Sequence, residues 1–184
     1  MDVAARTNRN YNMPMRAAYR LDTWLWLPLP RADVFAFFAN AKNLERITPS
    51  FLAFRILTPM PLDMRSGTLI DYRVGLRGLP MKWRSKITTW EPPVRFVDVQ
   101  VRGPYREWKH THSFEERDGG TLVVDTVEYT LRGPAFITKV INRLLVAPDL
   151  TRIFTFRHEA LQDAFSVRGR GNAGTVEVTC QWDS

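Results

Sequence analysis

Two histidines two residues apart, His110 and His112, stand in the run EWKHTHSFEERDGGTLVVDTVEYTL at positions 107–131. An HxH pair with a carboxylate nearby could support three chemistries. It could orient an imidazole for proton transfer, ligate a metal, or anchor the polar end of a ligand in an apolar pocket. It could equally be a structural pair whose members satisfy each other. Which groups meet depends on the register of the hairpin. Asp118-Gly119 is the best two-residue hairpin turn in the chain, so Arg117 should face Gly120. Phe114 then faces Val123, His112 faces Asp125, His110 faces Val127 and Trp108 faces Tyr129. On the opposite side Lys109 meets Glu128, an opposite-charge pair suited to solvent. A slip of one residue would mix the two faces. The face carrying Trp108, His110, His112, Phe114, Asp125 and Tyr129 is therefore read as the inner one.

A carboxylate on a mostly apolar face must be paired, and His112 is the cross-strand neighbour of Asp125. A structural pair is the leading reading and a polar ligand anchor the next. No catalytic residue is assigned, because no nucleophile accompanies the pair; His110, His112 and Asp125 are the candidates if proton transfer occurs. No metal and no cofactor are expected. The HxH spacing is a loose pattern, and the sequence offers two histidines and one Asp with no obvious groups to orient them as ligands.

These residues need a scaffold. Tyr19–Leu27 reads as a strand ended by Pro28 and Pro30. PRADVFAFFANAKNLERITP then gives a helix with Val34, Phe37 and Phe38 at helical spacing, and a second short helix over Asn43 to Ile47. Six strand-like runs follow: Phe51–Leu57, Thr68–Val74, Met81–Trp90, Arg95–Val101, Trp108–Glu116 and Thr121–Leu131. Their close spacing requires hairpins, and so an antiparallel sheet. Met81, Trp83, Ser85 and Ile87 alternate with charged residues and point inward. In the next strand the inward set is either Phe96, Asp98 and Gln100 or the plainer choice, Val97, Val99 and Val101; reconciling both turns requires a bulge.

Phe136 to Leu145 form a wide apolar stripe read as core, with a lid or membrane-touching helix as the sharper alternative. Pro148 and Asp149 start a last helix to about Phe165, whose Leu150, Phe154, Leu161 and Phe165 share a face with Arg157 and His158. Residues 1–18 read as a flexible arm, 19–166 as one domain and 167–184 as a flexible tail.

The 184 residues suit one domain, and the 12% aromatic content supplies bulky core and pocket material. A formal charge of +7 favours anionic partners, but the basic residues are scattered. Nucleic acid is accordingly disfavoured and peripheral contact with an anionic membrane is kept. Cys180 is the single cysteine, and no apolar run reaches membrane-spanning length. A cytoplasmic protein is expected; the oligomeric state stays open.

The order of elements resembles the START-like, or SRPBCC, superfamily. The resemblance is carried by PRADVFAFFANAKNLERITP, by GTLIDYRVGLRGLPMKWRSKITTWEPPVRFVDVQVRGPYREWKHTHSFE and by DLTRIFTFRHEAL. GPYREWKHTHSF is especially similar to the bacterial branch of polyketide cyclase/dehydrase and coenzyme Q-binding relatives, and to the domain behind some sugar-nucleotide epimerase-like proteins. The resemblance implies an α+β helix-grip fold, a curved antiparallel sheet wrapped around a long C-terminal helix. It also implies a cavity for a hydrophobic or amphipathic ligand such as a lipid, quinone or polyketide-like ring system, with the protein as carrier or chaperone. The alternative is an aromatase/cyclase-type enzyme, cyclase- or dehydratase-like; no catalytic motif carries over. Expected ligand contacts are Trp83, Trp108, His110, His112, Phe114, Asp125, Tyr129, Phe154, Arg157 and Leu161, around an apolar cavity of order 300–1,000 Å³.

Overall fold

The structure, a computed structural model, describes residues 19–180; the expected N-terminal arm lies outside them. Strand β1 (Tyr19–Leu27) leads through Pro30 into α1 (Arg31–Ala39) and α2 (Asn43–Arg46). Strands β2 (Arg55–Ile56), β3 (Leu69–Leu76), β4 (Leu79–Glu91), β5 (Arg95–Arg102), β6 (Glu107–Arg117) and β7 (Gly120–Thr130) then follow as a meander. All neighbours are antiparallel, and β7 returns to pair along the whole of β1. Helix α3 (Ala135–Ile141) continues through a π-helical turn, Asn142–Val146, into α4 (Ala147–Ala164).

The alternation along β6 and β7 produces the expected faces. His110, His112 and Phe114 are buried, and Lys109 bridges to Glu128 at 2.8 Å on the other side. The hairpin register is the one the turn dictates, with Arg117 opposite Gly120 and His112 opposite Asp125. Asp118 and Gly119 both take positive φ, 51° and 73°, the backbone that a tight hairpin of matching twist requires.

Strand β4 carries the bulge. Its pairing with β5 shifts between Ile87 and Thr89, leaving Thr88 as the extra residue, and shifts again between Arg84 and Ser85. The inserted residue reverses the alternation between the two turns. Trp83, Ser85 and Ile87 therefore share the inner face with Phe96 and Asp98, and the valine alternative for β5 does not hold.

Two apolar clusters fill the space between sheet and helices. One gathers Phe35, Phe38, Phe96, Phe114 and Leu161; the other gathers Tyr19, Trp83, Tyr105, Tyr129, Leu150 and Phe154. Helix α4 contributes to both, which is why its apolar face recurs at Leu150, Phe154 and Leu161.

Three expectations are corrected. The Phe51–Leu57 run is only a two-residue strand, because Ser50–Leu52 forms a 3₁₀ turn and Ala53 adopts φ 40°. The stretch beyond 167 is not a loose tail throughout. β8 (Asn172–Ala173) and β9 (Glu177–Cys180) pair with β1 and cover its free edge, while Val167 is buried in the first cluster. The third concerns α3 and the turn after it, where Phe136 is 72% exposed, Val140 55% and Leu144 63%. The stripe keeps its helical spacing but faces away from both clusters.

Candidate functional site

Between the inner face of the sheet, α2 and α4 lies a cavity of about 220 Å³. That is smaller than the expected range. Trp83, Tyr105, Trp108 and Phe154 project into the same space from β4, the β5–β6 connection, β6 and α4, and their rings occupy volume that smaller side chains would leave free. Trp83 lies edge-on to Trp108 at 5.3 Å and stacks on Tyr72 at 5.9 Å, separations at which aromatic rings attract beyond simple burial. The wall is mostly apolar, and Asp98, His110, His112 and Arg157 also line it.

Of the expected ligand contacts, Trp83, Trp108, His110, His112, Phe154 and Arg157 line this cavity. Phe114 and Leu161 belong instead to the first packed cluster. Tyr129 donates to Asn142 Oδ1 at 2.7 Å and stacks on Tyr19, so it is a wall support. Asp125 stands behind the histidines and does not line the space.

The polar groups form one connected cluster. Asp125 Oδ1 accepts from His110 Nε2 at 2.9 Å and lies 2.7 Å from His112 Nδ1, which is close but poorly aligned for a hydrogen bond. Across the cluster, Asp98 Oδ2 lies 3.5 Å from His112 Nε2 and 3.9 Å from His110 Nδ1. Asp98 Oδ1 accepts from Ser85 at 3.1 Å. The Ser85 hydroxyl in turn receives Trp83 Nε1–H at 3.1 Å and the Tyr72 hydroxyl at 2.8 Å. With its proton on Asp98, both Ser85 lone pairs are used.

Burial opposes ionisation of Asp125, yet its carboxyl is held well below the usual carboxylate range. The Arg157 guanidinium and the two imidazoles outweigh the burial. Asp98 is also lowered: burial pushes it up, and His112, His110 and Ser85 together bring it below its ordinary value. For His110, burial first and the neighbouring His112 second push the imidazole down to about 4. It is therefore neutral near pH 7, and an ionised Asp125 fixes its proton on Nε2. Burial and the charge of Asp98 push the Tyr72 phenol far up, so it remains a donor.

Arg157 is buried, with its guanidinium 5.5 Å from the Phe38 ring and 5.6 Å from the Phe154 ring. Its Nε has no hydrogen-bond partner among the described residues. It is a desolvated cation at the cavity wall, not a side chain snorkelling at the helix edge. His158 turns the other way and meets Thr23 Oγ1 at 3.2 Å.

Sequence reasoning placed the His112–Asp125 contact and left Asp98 in the less plain of two inward sets. Asp98 depends on the β4 bulge, whose position no local residue pattern announces. Tyr72 and Tyr105 were also missed; each is an aromatic in a strand or loop whose inward direction only the sheet's curvature decides.

The fold, an antiparallel sheet of nine strands among the described residues wrapped over a long C-terminal helix, is the START-like helix grip. The chain belongs to the family described as polyketide cyclase / dehydrase and lipid transport, which it matches over residues 27–153. No curated protein sequence matches it. Among solved structures it is similar to protein Ms6760 from Mycobacterium smegmatis, with 15% identity over 81% of this chain and 92% of that one, at a TM-score of 0.59. It is also similar to a nucleoside-diphosphate sugar epimerase from Corynebacterium glutamicum, at 25% identity and a TM-score of 0.57. That match covers 79% of this chain but 29% of the epimerase. A plant fold relative is ginseng major latex-like protein 151 from Panax ginseng, with 9% identity over 80% and 97% of the two chains and a TM-score of 0.56. Family and fold together support a hydrophobic-ligand-binding role.

Proposed function

We propose that the protein is a carrier or chaperone for a small hydrophobic or amphipathic molecule, a lipid, quinone or polyketide-like ring system, held in the internal cavity. The observation that carries this reading is the wall itself: aromatic rings from three sides, with Asp98, the two histidines and Arg157 as its charged and imidazole groups. Such a wall suits a flat apolar body bearing one oxygenated end, which Arg157 or a histidine would meet. The volume of about 220 Å³ favours a compact ring system over a long acyl chain in this conformation. Native mass spectrometry of protein purified from its own host tests the reading, and a stoichiometric apolar adduct is expected. An empty protein that also fails to bind an environment-sensitive dye would remove it.

Acid–base cyclase chemistry is the second reading, favoured because His110 and His112 both reach the cavity and are oriented by carboxylates. The two readings separate on one variant. A carrier with His110→Gln keeps ligand within a few fold, whereas a proton-transfer enzyme loses turnover while keeping its ligand.

Membrane contact is part of the carrier reading. The exposed stripe Phe136, Val140 and Leu144 lies beside the exposed cations Lys139 and Arg143. An apolar stripe flanked by positive charge suits the surface of an anionic bilayer, where an apolar cargo would be collected or released.

A further inference from the structure

The hairpin alone set His110 and His112 beside Asp125; the fold brings Asp98 to their other side and leaves Asp125 behind them. Asp98 Oδ2, His110 Nδ1 and His112 Nε2 converge, all within 4.8 Å of one another. Asp98 Oδ2 is 3.5 Å from His112 Nε2 and 3.9 Å from His110 Nδ1. Two ligands bound about 2.0–2.1 Å from a tetrahedral ion stand about 3.3 Å apart, so Asp98 is already close to that spacing from both histidines, and the two imidazole nitrogens would close to it from at most 4.8 Å.

The back of His110 is already held, and that of His112 faces the same carboxylate. Asp125 takes the Nε2–H of His110 and lies against Nδ1 of His112, so the opposite nitrogen of each ring is turned toward Asp98. Ser85 holds the other oxygen of Asp98. Carboxylates behind ligating imidazoles, and a donor behind a ligating carboxylate, are how proteins orient metal ligands. The Nδ1 lone pair of His110 therefore faces a carboxylate oxygen, and so does the His112 lone pair when its proton is on Nδ1. Lone pairs brought together this way repel unless a cation lies between them. Charge agrees: two carboxylates, the half-buried Asp98 and the buried Asp125, border the histidines, and the guanidinium of Arg157 acts on Asp125.

We propose that Asp98, His110 and His112 bind one divalent first-row transition-metal ion, with Asp125 and Ser85 as positioning residues. Two imidazoles and one carboxylate suit zinc, iron(II) or cobalt(II) over calcium or magnesium. All three ligands line the cavity, so the remaining coordination position faces it and would take water or an oxygen of the occupant. The site stands apart from the carrier reading, because it is measured with no apolar ligand present.

The experiment is a titration of chelator-dialysed full-length protein with Co²⁺ and Zn²⁺, followed by calorimetry, by the visible spectrum of Co²⁺ and by ¹⁵N spectra of the histidine rings. One ion per chain is expected, with shifts at His110 Nδ1 and His112 Nε2 and none at His158. Asp98→Asn should weaken binding at least about 100-fold and Asp125→Asn about 10–100-fold, while His158→Gln leaves it unchanged. The wild-type ring spectra decide even if a variant misfolds. A metal-free protein whose His112 is an imidazolium bridging both carboxylates, unmoved by Zn²⁺, would overturn the proposal. So would Asp98→Asn binding as tightly as wild type.

Discussion

At the residue scale the cluster is held by mutual satisfaction, and its weak point is Asp125. This carboxylate is buried and serves His110, His112 and the charge of Arg157 at once. Asp125→Leu removes the countercharge and leaves a buried cation behind, which should cost roughly 3–5 kcal/mol by denaturant melting. His112→Phe keeps the ring stack on Phe96, now 4.1 Å between centroids, and should cost roughly 1–3 kcal/mol through the groups left unpaired. The double change should recover part of the summed loss, because the two side chains touch. Strictly additive losses would mean that the two do not interact in solution.

At the element scale the informative segments are two of the three that the structure corrects. The α3 stripe is exposed, so Phe136→Glu with Leu144→Glu should change stability by no more than about 0.5 kcal/mol. The same pair should abolish co-sedimentation with vesicles of mixed anionic and zwitterionic lipid, while neutral vesicles bind neither form. A clear drop in melting temperature would show that the stripe is packed after all. The C-terminal strands behave oppositely. Ending the chain after Arg170 removes β8 and β9 and bares the outer edge of β1 from Tyr19 to Asp22 and at Leu25 and Trp26. It also removes Val176 and Val178 from the second cluster. A loss of roughly 1–3 kcal/mol and concentration-dependent association are expected, since an unpaired edge templates pairing with another chain. Unchanged melting and a monodisperse profile would make the two strands ornamental.

At the scale of the whole molecule, His110 and His158 shape the response to acid. His110 is pushed down to about 4 by burial and by His112, and His158 is lowered by burial, with Arg157 adding to it. An unfolded histidine takes its proton near pH 6.5, whereas these take theirs lower. Between those values the unfolded chain binds more protons, so folding stability rises with pH there and falls as pH drops from about 6.5 toward 4. Asp98 and Asp125, both lowered, extend the loss to still lower pH. In His158→Gln the slope of stability against pH should be shallower across the upper part of that window. An identical slope would exclude His158 as a contributor.

Local chemistry was legible from the order of residues alone. Asp118-Gly119 defined a tight turn, the turn defined the β6–β7 register, and a period of two then placed His110, His112 and Asp125 on one face. Helical spacing likewise identified the face of α4 that carries Phe154 and Leu161. Periodicity reports which residues share a face and nothing about what covers it, so the Phe136–Leu145 stripe was legible as a stripe and not as exposed. Asp98 lay beyond that reach as well, because its direction depends on one extra residue at Thr88 and on pairing with strands on both sides. Only the tertiary structure could decide whether Asp98 faced solvent or the histidines. Facing the histidines, it turns a plain His–Asp contact into a four-membered polar cluster beside a cavity.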